Sequence, residues 1–151
     1  MKDEIKVNLL GAYLLFILFV FIVVPVVVYF SDLTNQLVRS LIFVGFSGGI
    51  GGTIYSIRGF YQNLGEGIFK FNWVWWYIFR PIISVVIGVF VYFFIFGGLM
   101  GLGLISGANY SKGFLFYCAV SFLAGFSFTQ FANKLEDTSS ILFTKKKNKH
   151  E

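Results

Sequence analysis

Side chains that could do acid–base, nucleophilic or metal chemistry are scarce in this chain and lie far apart. The single histidine is His150, and the single cysteine is Cys118. The seven acidic residues all lie outside the long apolar stretches that make up most of the sequence. Nucleophilic catalysis or metal binding needs several such groups side by side. We therefore expect no catalytic, cofactor-binding or metal-binding residues and no enzyme activity.

Any function must be positioned by four long apolar stretches. They cover residues 7–30, 37–57, 81–105 and 113–132. Each can cross a hydrocarbon core of about 30 Å as a helix of roughly 20 residues, and only Arg39 interrupts them with a charge. Charged residues form 13% of the chain, about half their share in a soluble domain. We predict a single all-α transmembrane domain whose four helices form two antiparallel hairpins, with a basic cytoplasmic tail over residues 133–151.

The distribution of lysine and arginine predicts the orientation. With four spans, one side of the membrane would carry both termini and ten of the twelve cations. Arg39 and Lys112 would lie on the other side. Because lysine and arginine concentrate in cytoplasmic loops close to the membrane, both termini should be cytoplasmic.

The longest cytoplasmic connection runs from Arg58 to Arg80. It contains all three tryptophans of the chain, Trp73, Trp75 and Trp76. Apolar residues recur there at three- and four-residue spacing, while Gly65 and Gly67 weaken a continuous helix. We predict a bent, amphipathic, interfacial segment between the second and third helices. Its tryptophans fit either an ordinary aromatic belt or a platform that contacts lipid or a protein partner.

Two arginines flank this connection. Arg80 and Pro81 are expected to mark the entry to the third helix, because proline fits the first helical turn. Arg58 holds the mirror position at the end of the second helix. The pair either anchors the helix ends or binds an anionic headgroup or a partner's carboxylate. A headgroup enzyme or carrier would use both arginines together with Glu66.

Small residues at four-residue spacing predict close helix packing, since they let two backbones approach in lipid. In the second span the pairs are Gly45 with Gly49, Gly48 with Gly52, and Gly52 with Ser56. Others are Ser84 with Gly88, Gly97 with Gly101, and Ser121 with Gly125. This is more than one four-helix unit obviously needs, so we expect a homo-oligomer. The alternative is that all these residues pack inside one chain.

The C-terminal tail supplies a basic cluster, Lys145, Lys146 and Lys147. Lysines beside a span attract anionic lipid, and the cluster is too short to favour a nucleic-acid partner. The spans contain no ionisable group of the kind that marks a coupled transport pathway, apart from Arg39 near the start of the second. The expected partners are therefore the lipid bilayer, further copies of the chain and a cytoplasmic protein.

Several short motifs lie along residues 45–136. They are Gly48-Gly49-Ile50-Gly51-Gly52 followed by Arg58, then Trp76-Tyr77-Ile78-Phe79-Arg80-Pro81, then Ala124-Gly125-Phe126-Ser127. With these motifs the chain resembles a set of small, uncharacterised four-helix integral membrane proteins of prokaryotes. An acidic residue often follows the last serine in that pattern, whereas this chain has Phe128. The resemblance implies a multi-pass protein of the prokaryotic cytoplasmic (inner) membrane.

Two classes of function are compatible with these features. The first is a non-enzymatic, homo-oligomeric pore or membrane scaffold that docks a cytoplasmic partner. Small proteins of this size and topology also accompany prokaryotic antiviral defence modules, and that analogy adds such a setting to the expectation. The alternative is a membrane-embedded enzyme or carrier acting on lipid headgroups.

The charge bias generates a test of orientation. Single cysteines at Thr34 and Asn109, in a Cys118→Ser background, should react with a membrane-impermeant thiol reagent added outside intact cells. A cysteine at Asn63 should react only after the cells are opened. Labelling of intact cells at Asn63 but not at the other two sites would reverse the predicted topology.

Overall fold

Five α-helices account for most of the chain that the computed structural model describes, residues 2–31, 35–69, 71–96 and 110–143. They are α1 (Lys2–Phe30), α2 (Gln36–Gly65), α3 (Val74–Phe96), α4 (Tyr110–Phe126) and α5 (Phe128–Phe143), with a 3-10 turn at Phe71–Trp73. These ranges contain no strand. Helices α1, α2 and α3 are each long and apolar enough to cross a membrane. The expected all-α membrane class is confirmed at this level.

The connection between α2 and α3 is shorter than the sequence suggested, because both helices extend into it. Helix α2 runs to Gly65 and stops where Gly67 adopts a positive φ of 68°, a conformation that side chains with a Cβ rarely take. Helix α3 begins at Val74. The predicted amphipathic segment is therefore not a separate helix. Its residues form the end of α2, a short turn and the start of α3.

Pro81 lies inside α3 and not at its entry, which corrects the predicted start of the third helix. It is preceded by seven helical residues, from Val74 to Arg80. Proline can begin a helix, but it also occurs within membrane helices, where neighbouring groups compensate for the missing N–H. The preceding aromatic run continues the helix, so Arg80 belongs to the packed part of α3.

The predicted fourth span, residues 113–132, is not one continuous helix. Helix α4 ends at Phe126, and α5 leaves it at Ser127 at an angle of 103°. Helix α5 has an amphipathic pattern. Phe128, Phe131 and Leu135 are partly buried, whereas Asn133 and Glu136 are exposed. The chain thus turns sharply where a straight span was expected.

Several small polar side chains are buried where the helices meet, and many large apolar side chains lie on the outside of the bundle. Thr53, Ser56, Ser84 and Ser121 are fully buried. Large exposed apolar side chains cover the outer surfaces of the long helices, among them Leu15, Phe16, Phe19, Val27, Phe90 and Phe93. Such an apolar exterior suits a bilayer. Because lipid tails are as apolar as these side chains, burying the side chains inside the protein would give no hydrophobic stabilisation.

Helix α2 is the central element, and glycine brings it into backbone contact with α3 and α4. A Cβ added to Gly48 would lie 2.6 Å from the Ser84 carbonyl oxygen and 2.9 Å from the Gly88 Cα. A Cβ on Gly51 would overlap the Phe122 carbonyl oxygen of α4. These contacts leave no room for a larger residue, so the three helices meet at the closest separation that backbone permits.

Serine hydroxyls join two of these helices, α2 and α4. Ser121 of α4 donates to the Val44 carbonyl oxygen at 2.6 Å, and Ser47 of α2 donates to the Cys118 carbonyl oxygen at 2.7 Å. Such bonds form only when the backbones are close, because the serine side chain is short. Because hydrogen bonds are directional, these two also orient the helices relative to each other, which packing alone does less strictly.

The structure places the described members of the predicted packing set in this contact. Gly45 faces Val89, Gly49 faces Val85 and Phe21, and Gly52 faces Ser84. Gly125 lies against the Gly48 carbonyl oxygen, and Ser56 is buried with its hydroxyl bonded to the Gly52 carbonyl oxygen. Gly97 and Gly101 lie outside the described residues. Gly45, Gly48, Gly49 and Gly52 therefore pack against other helices of the same chain.

The close contact predicts a position-dependent effect of added volume. Gly48→Leu should lower the free energy of unfolding by about 1–3 kcal/mol, because its side chain meets backbone atoms that cannot move aside. Gly65→Leu on the same helix is the matched control, since a Cβ there meets nothing within 4 Å. Thermal unfolding in detergent micelles measures both variants. Equal loss of stability at the two positions would contradict the packing argument.

Candidate functional site

Arg80 is the one charged side chain that is buried in the part of the chain described, with 7% of its surface exposed. Side chains on a helix tilt toward its N-terminus, so Arg80 lies over Trp76, one turn earlier on α3. The side chain thereby points toward the end of the bundle where α2 ends and α5 begins. Its position, and not its charge alone, makes it the leading candidate for a functional group.

Aromatic rings from three helices surround this arginine. The Arg80 Cζ atom lies 3.8 Å from the ring centroid of Tyr55, 4.5 Å from that of Trp76 and 5.9 Å from that of Phe128. Tyr55 belongs to α2, Trp76 to α3 and Phe128 to α5. We call these four residues the arginine cluster. It joins the bend after α4 to the two central helices.

The hydrogen-bonding capacity of Arg80 is not met by the described residues. Its Nε atom is buried and has no hydrogen-bond partner. The buried Ser84 hydroxyl, one turn deeper on α3, also lacks one. Arg39 provides a contrast, because it donates to the Tyr29 carbonyl oxygen, lies over the Tyr29 ring at 5.2 Å and is only partly buried. Of these two ring-stacked arginines, only Arg80 keeps an unmet donor in a buried place.

The energetic balance at Arg80 favours an added anion. Each cation–π contact at a desolvated site stabilises by about 2 kcal/mol, whereas removing a cation from water costs several kcal/mol. Three such contacts are comparable with that cost, but the rings accept no ordinary hydrogen bond. A charged donor left unsatisfied costs more than about 1–3 kcal/mol. A negatively charged acceptor would supply the missing hydrogen bond.

The other predicted contact residues lie around this end of the fold but not in the cluster. Arg58 is exposed on α2, three residues beyond Tyr55 and hence on the same helix face. Glu66 is exposed and caps α2 through its backbone N–H, which donates to the Gln62 carbonyl oxygen. Trp73 and Trp75 are 54% and 65% exposed. Lys145, Lys146 and Lys147 lie outside the described residues.

A second set of contacts stabilises the same end of the bundle. Tyr77 is buried against Phe60, Leu10 and Leu14, and Asn63 donates to its hydroxyl at 2.7 Å. Beside it, a groove of about 860 Å³ opens between α1 and α3. Its lining is apolar apart from Lys6 and Tyr13. This packing holds α1 to the start of α3 and so fixes the level of Trp76 and Arg80.

Arg80 and Trp76 are contact residues predicted from the sequence, whereas Tyr55 and Phe128 are not. The four-residue spacing of Trp76 and Arg80 would have indicated their contact if the helix start had been placed at Val74. Tyr55 and Phe128 come from other helices, and no spacing in the sequence links them to Arg80. The bend at Ser127 decides the position of Phe128.

Comparison with known protein families, with curated proteins and with solved structures finds no significant match to this chain.

Adjacent tryptophans allow a controlled test of the arginine cluster. Trp76→Leu removes a ring over Arg80 and should lower the free energy of unfolding by about 1–2 kcal/mol, the magnitude of a desolvated cation–π contact. Trp75→Leu removes a ring of the same kind that is 65% exposed and stacks on Phe79, so it should cost less. Thermal unfolding of both variants in the same detergent gives the comparison. A larger loss at Trp75 would show that the ring contacts with Arg80 do not stabilise the fold.

Proposed function

We propose that this chain is a non-enzymatic, multi-pass membrane scaffold whose cytoplasmic end docks a protein partner at the membrane surface. The observation that carries the proposal is the sharp bend between α4 and α5, which turns an amphipathic helix through 103° from the axis of α4. A scaffold needs a surface held at a defined place on the bilayer. Helix α5 and the tryptophans at the start of α3 would form that surface.

The proposed topology has four crossings with both termini in the cytoplasm. Helices α1, α2 and α3 supply three, and α4 would supply the fourth up to Phe126. Its 17 residues correspond to about 26 Å, a modest mismatch that a bilayer accommodates by local thinning. The ten-to-two distribution of cations supports this orientation. The proposed membrane is the prokaryotic inner membrane.

Helix α5 supports a docking surface through its two faces. In this topology, a helix at 103° to α4 lies close to the membrane plane. Phe128, Phe131 and Leu135 would then enter the boundary between headgroups and acyl chains, as in other interfacial amphipathic helices. Asn133 and Glu136 are exposed and would face the cytoplasm. Helix α5 would thus be held by its apolar face in the bilayer and by its junction with α4. Its polar face would be available to a partner.

The headgroup enzyme is the less favoured alternative, because its three proposed residues have different surroundings. Arg80 is enclosed by aromatic rings, whereas Arg58 and Glu66 are exposed. Glu66 ends α2, two turns beyond Arg58 and close to the turn at Gly67. Homo-oligomer formation stays a prediction, and any contact between copies would use surfaces other than the buried glycines of α2.

Site-specific photo-crosslinking in cells tests the docking surface. A benzophenone amino acid at Asn133 or Glu136 should give discrete higher-mass adducts, because both side chains are exposed on the polar face of α5. The matched controls are Leu15 and Phe19, which are exposed on the apolar surface of α1 and should contact lipid. Mass spectrometry of each band would distinguish a second copy of the chain from another protein. Absence of any adduct at both α5 positions would contradict the scaffold proposal.

A further inference from the structure

We infer that the arginine cluster is a binding site for the phosphate group of an anionic phospholipid in the cytoplasmic leaflet. This inference rests on the proposed orientation of the fold and adds a ligand to the same end of the bundle. It depends on three features of the cluster: an unmet donor, the depth of the guanidinium and the apolar surface below it.

The chemistry of the cluster suits an oxyanion. Rings that stack on a guanidinium cover its faces, so its N–H donors remain at the edge of the plane. Nε is among these donors and is unpartnered on a side chain that is more than nine-tenths buried. Among the described residues no carboxylate takes that place. Arginine is the residue that best presents several donors in one plane to phosphate oxygens.

The depth of the cluster matches the phosphate layer of the leaflet. Phe128 is the first residue of α5, and its ring centroid lies 5.9 Å from the Arg80 Cζ atom. If α5 lies in the membrane plane, Arg80 is at the same level as an interfacial helix, where headgroups meet acyl chains. Arg58, exposed one turn beyond Tyr55, adds a second positive charge on the cytoplasmic side.

The surroundings favour a phosphate that carries acyl chains over a free one. Tyr55 and Trp76, which border the guanidinium, are 36% and 39% exposed. One turn deeper on α3, Ile83 is 48% exposed, and Val86 beyond it is 51% exposed. In the proposed topology this apolar strip runs into the bilayer from the arginine. A phospholipid would place its phosphate at the cluster and its chains along the strip.

The first experiment uses the unmodified full chain. Purified protein in mild detergent is titrated with phosphatidylglycerol, with phosphatidylcholine of the same acyl chains, and with inorganic phosphate. Native mass spectrometry counts bound lipid, and thermal unfolding measures stabilisation, which rises with ligand concentration when the ligand binds only the folded state. We expect selective retention of one phosphatidylglycerol per chain and a matching rise in Tm. Equal binding of the two lipids would overturn the inference, as would binding of inorganic phosphate without phosphatidylglycerol.

The second experiment uses two arginine variants. Arg80→Gln should weaken phosphatidylglycerol binding by about tenfold to hundredfold, because it removes charged hydrogen-bond donors. Arg39→Gln is the control, since Arg39 also stacks on a tyrosine but lies at the opposite end of α2 and is only partly buried. It should leave binding unchanged. If Arg80→Gln does not fold, Arg80→Lys keeps the charge and should bind more weakly than the unmodified chain.

A purely structural role for Arg80 predicts a different result. The variants would then lose stability, but phosphatidylglycerol would raise the Tm of Arg80→Lys or Arg80→Gln as much as that of the unmodified chain. That outcome would overturn the inference. Because the scaffold proposal is tested separately by crosslinking on α5, loss of lipid selectivity with retained adducts would remove the lipid site alone.

Discussion

The close approach of three helix backbones around α2 is the constraint on which the rest of the structure depends. Gly48 and Gly51 allow α3 and α4 to contact α2 through backbone atoms. At that separation the hydroxyl of Ser121 reaches a carbonyl oxygen of α2. Close backbone contact matters more in lipid than in water. Apolar side chains that exchange contacts with acyl chains for contacts with one another gain little free energy. The glycines therefore determine which helices are neighbours.

The same contact positions the candidate site at the end of the bundle. Because α4 follows α2 closely up to Gly125, it ends beside Tyr55, where Phe126 packs edge-on against that ring at 5.7 Å. The bend at Ser127 then brings Phe128 to Arg80. A buried arginine at this junction links the packing of three helices to the level at which the chain would meet the membrane surface. The packing role of the cluster and its proposed lipid-binding role thus involve the same atoms.

Predictions from the local sequence were reliable for features that depend on a single helix. They were unreliable for features that depend on contacts between helices. The length and apolar character of α1 and α2 followed from hydropathy. The glycine spacing indicated close packing but not whether the partner would be the same chain or another copy. Pro81 was read as a helix start because proline is common there. In the fold the helix begins earlier, at Val74, and Tyr77 in this first part packs against Phe60 and Leu14.

The sequence by itself determined the all-helical membrane class and the approximate location of three long apolar helices. It also determined which residue types allow close packing. These features can be predicted because hydrophobic length and small-residue spacing are properties of a single segment of the chain. Only the tertiary structure decided that α4 ends at Phe126, that α5 turns away by 103°, and that Arg80 is enclosed by Tyr55, Trp76 and Phe128. The rings of Tyr55 and Phe128 come from helices far apart in the chain. Their meeting at one guanidinium depends on how α2, α3 and α4 pack, which no local pattern specifies.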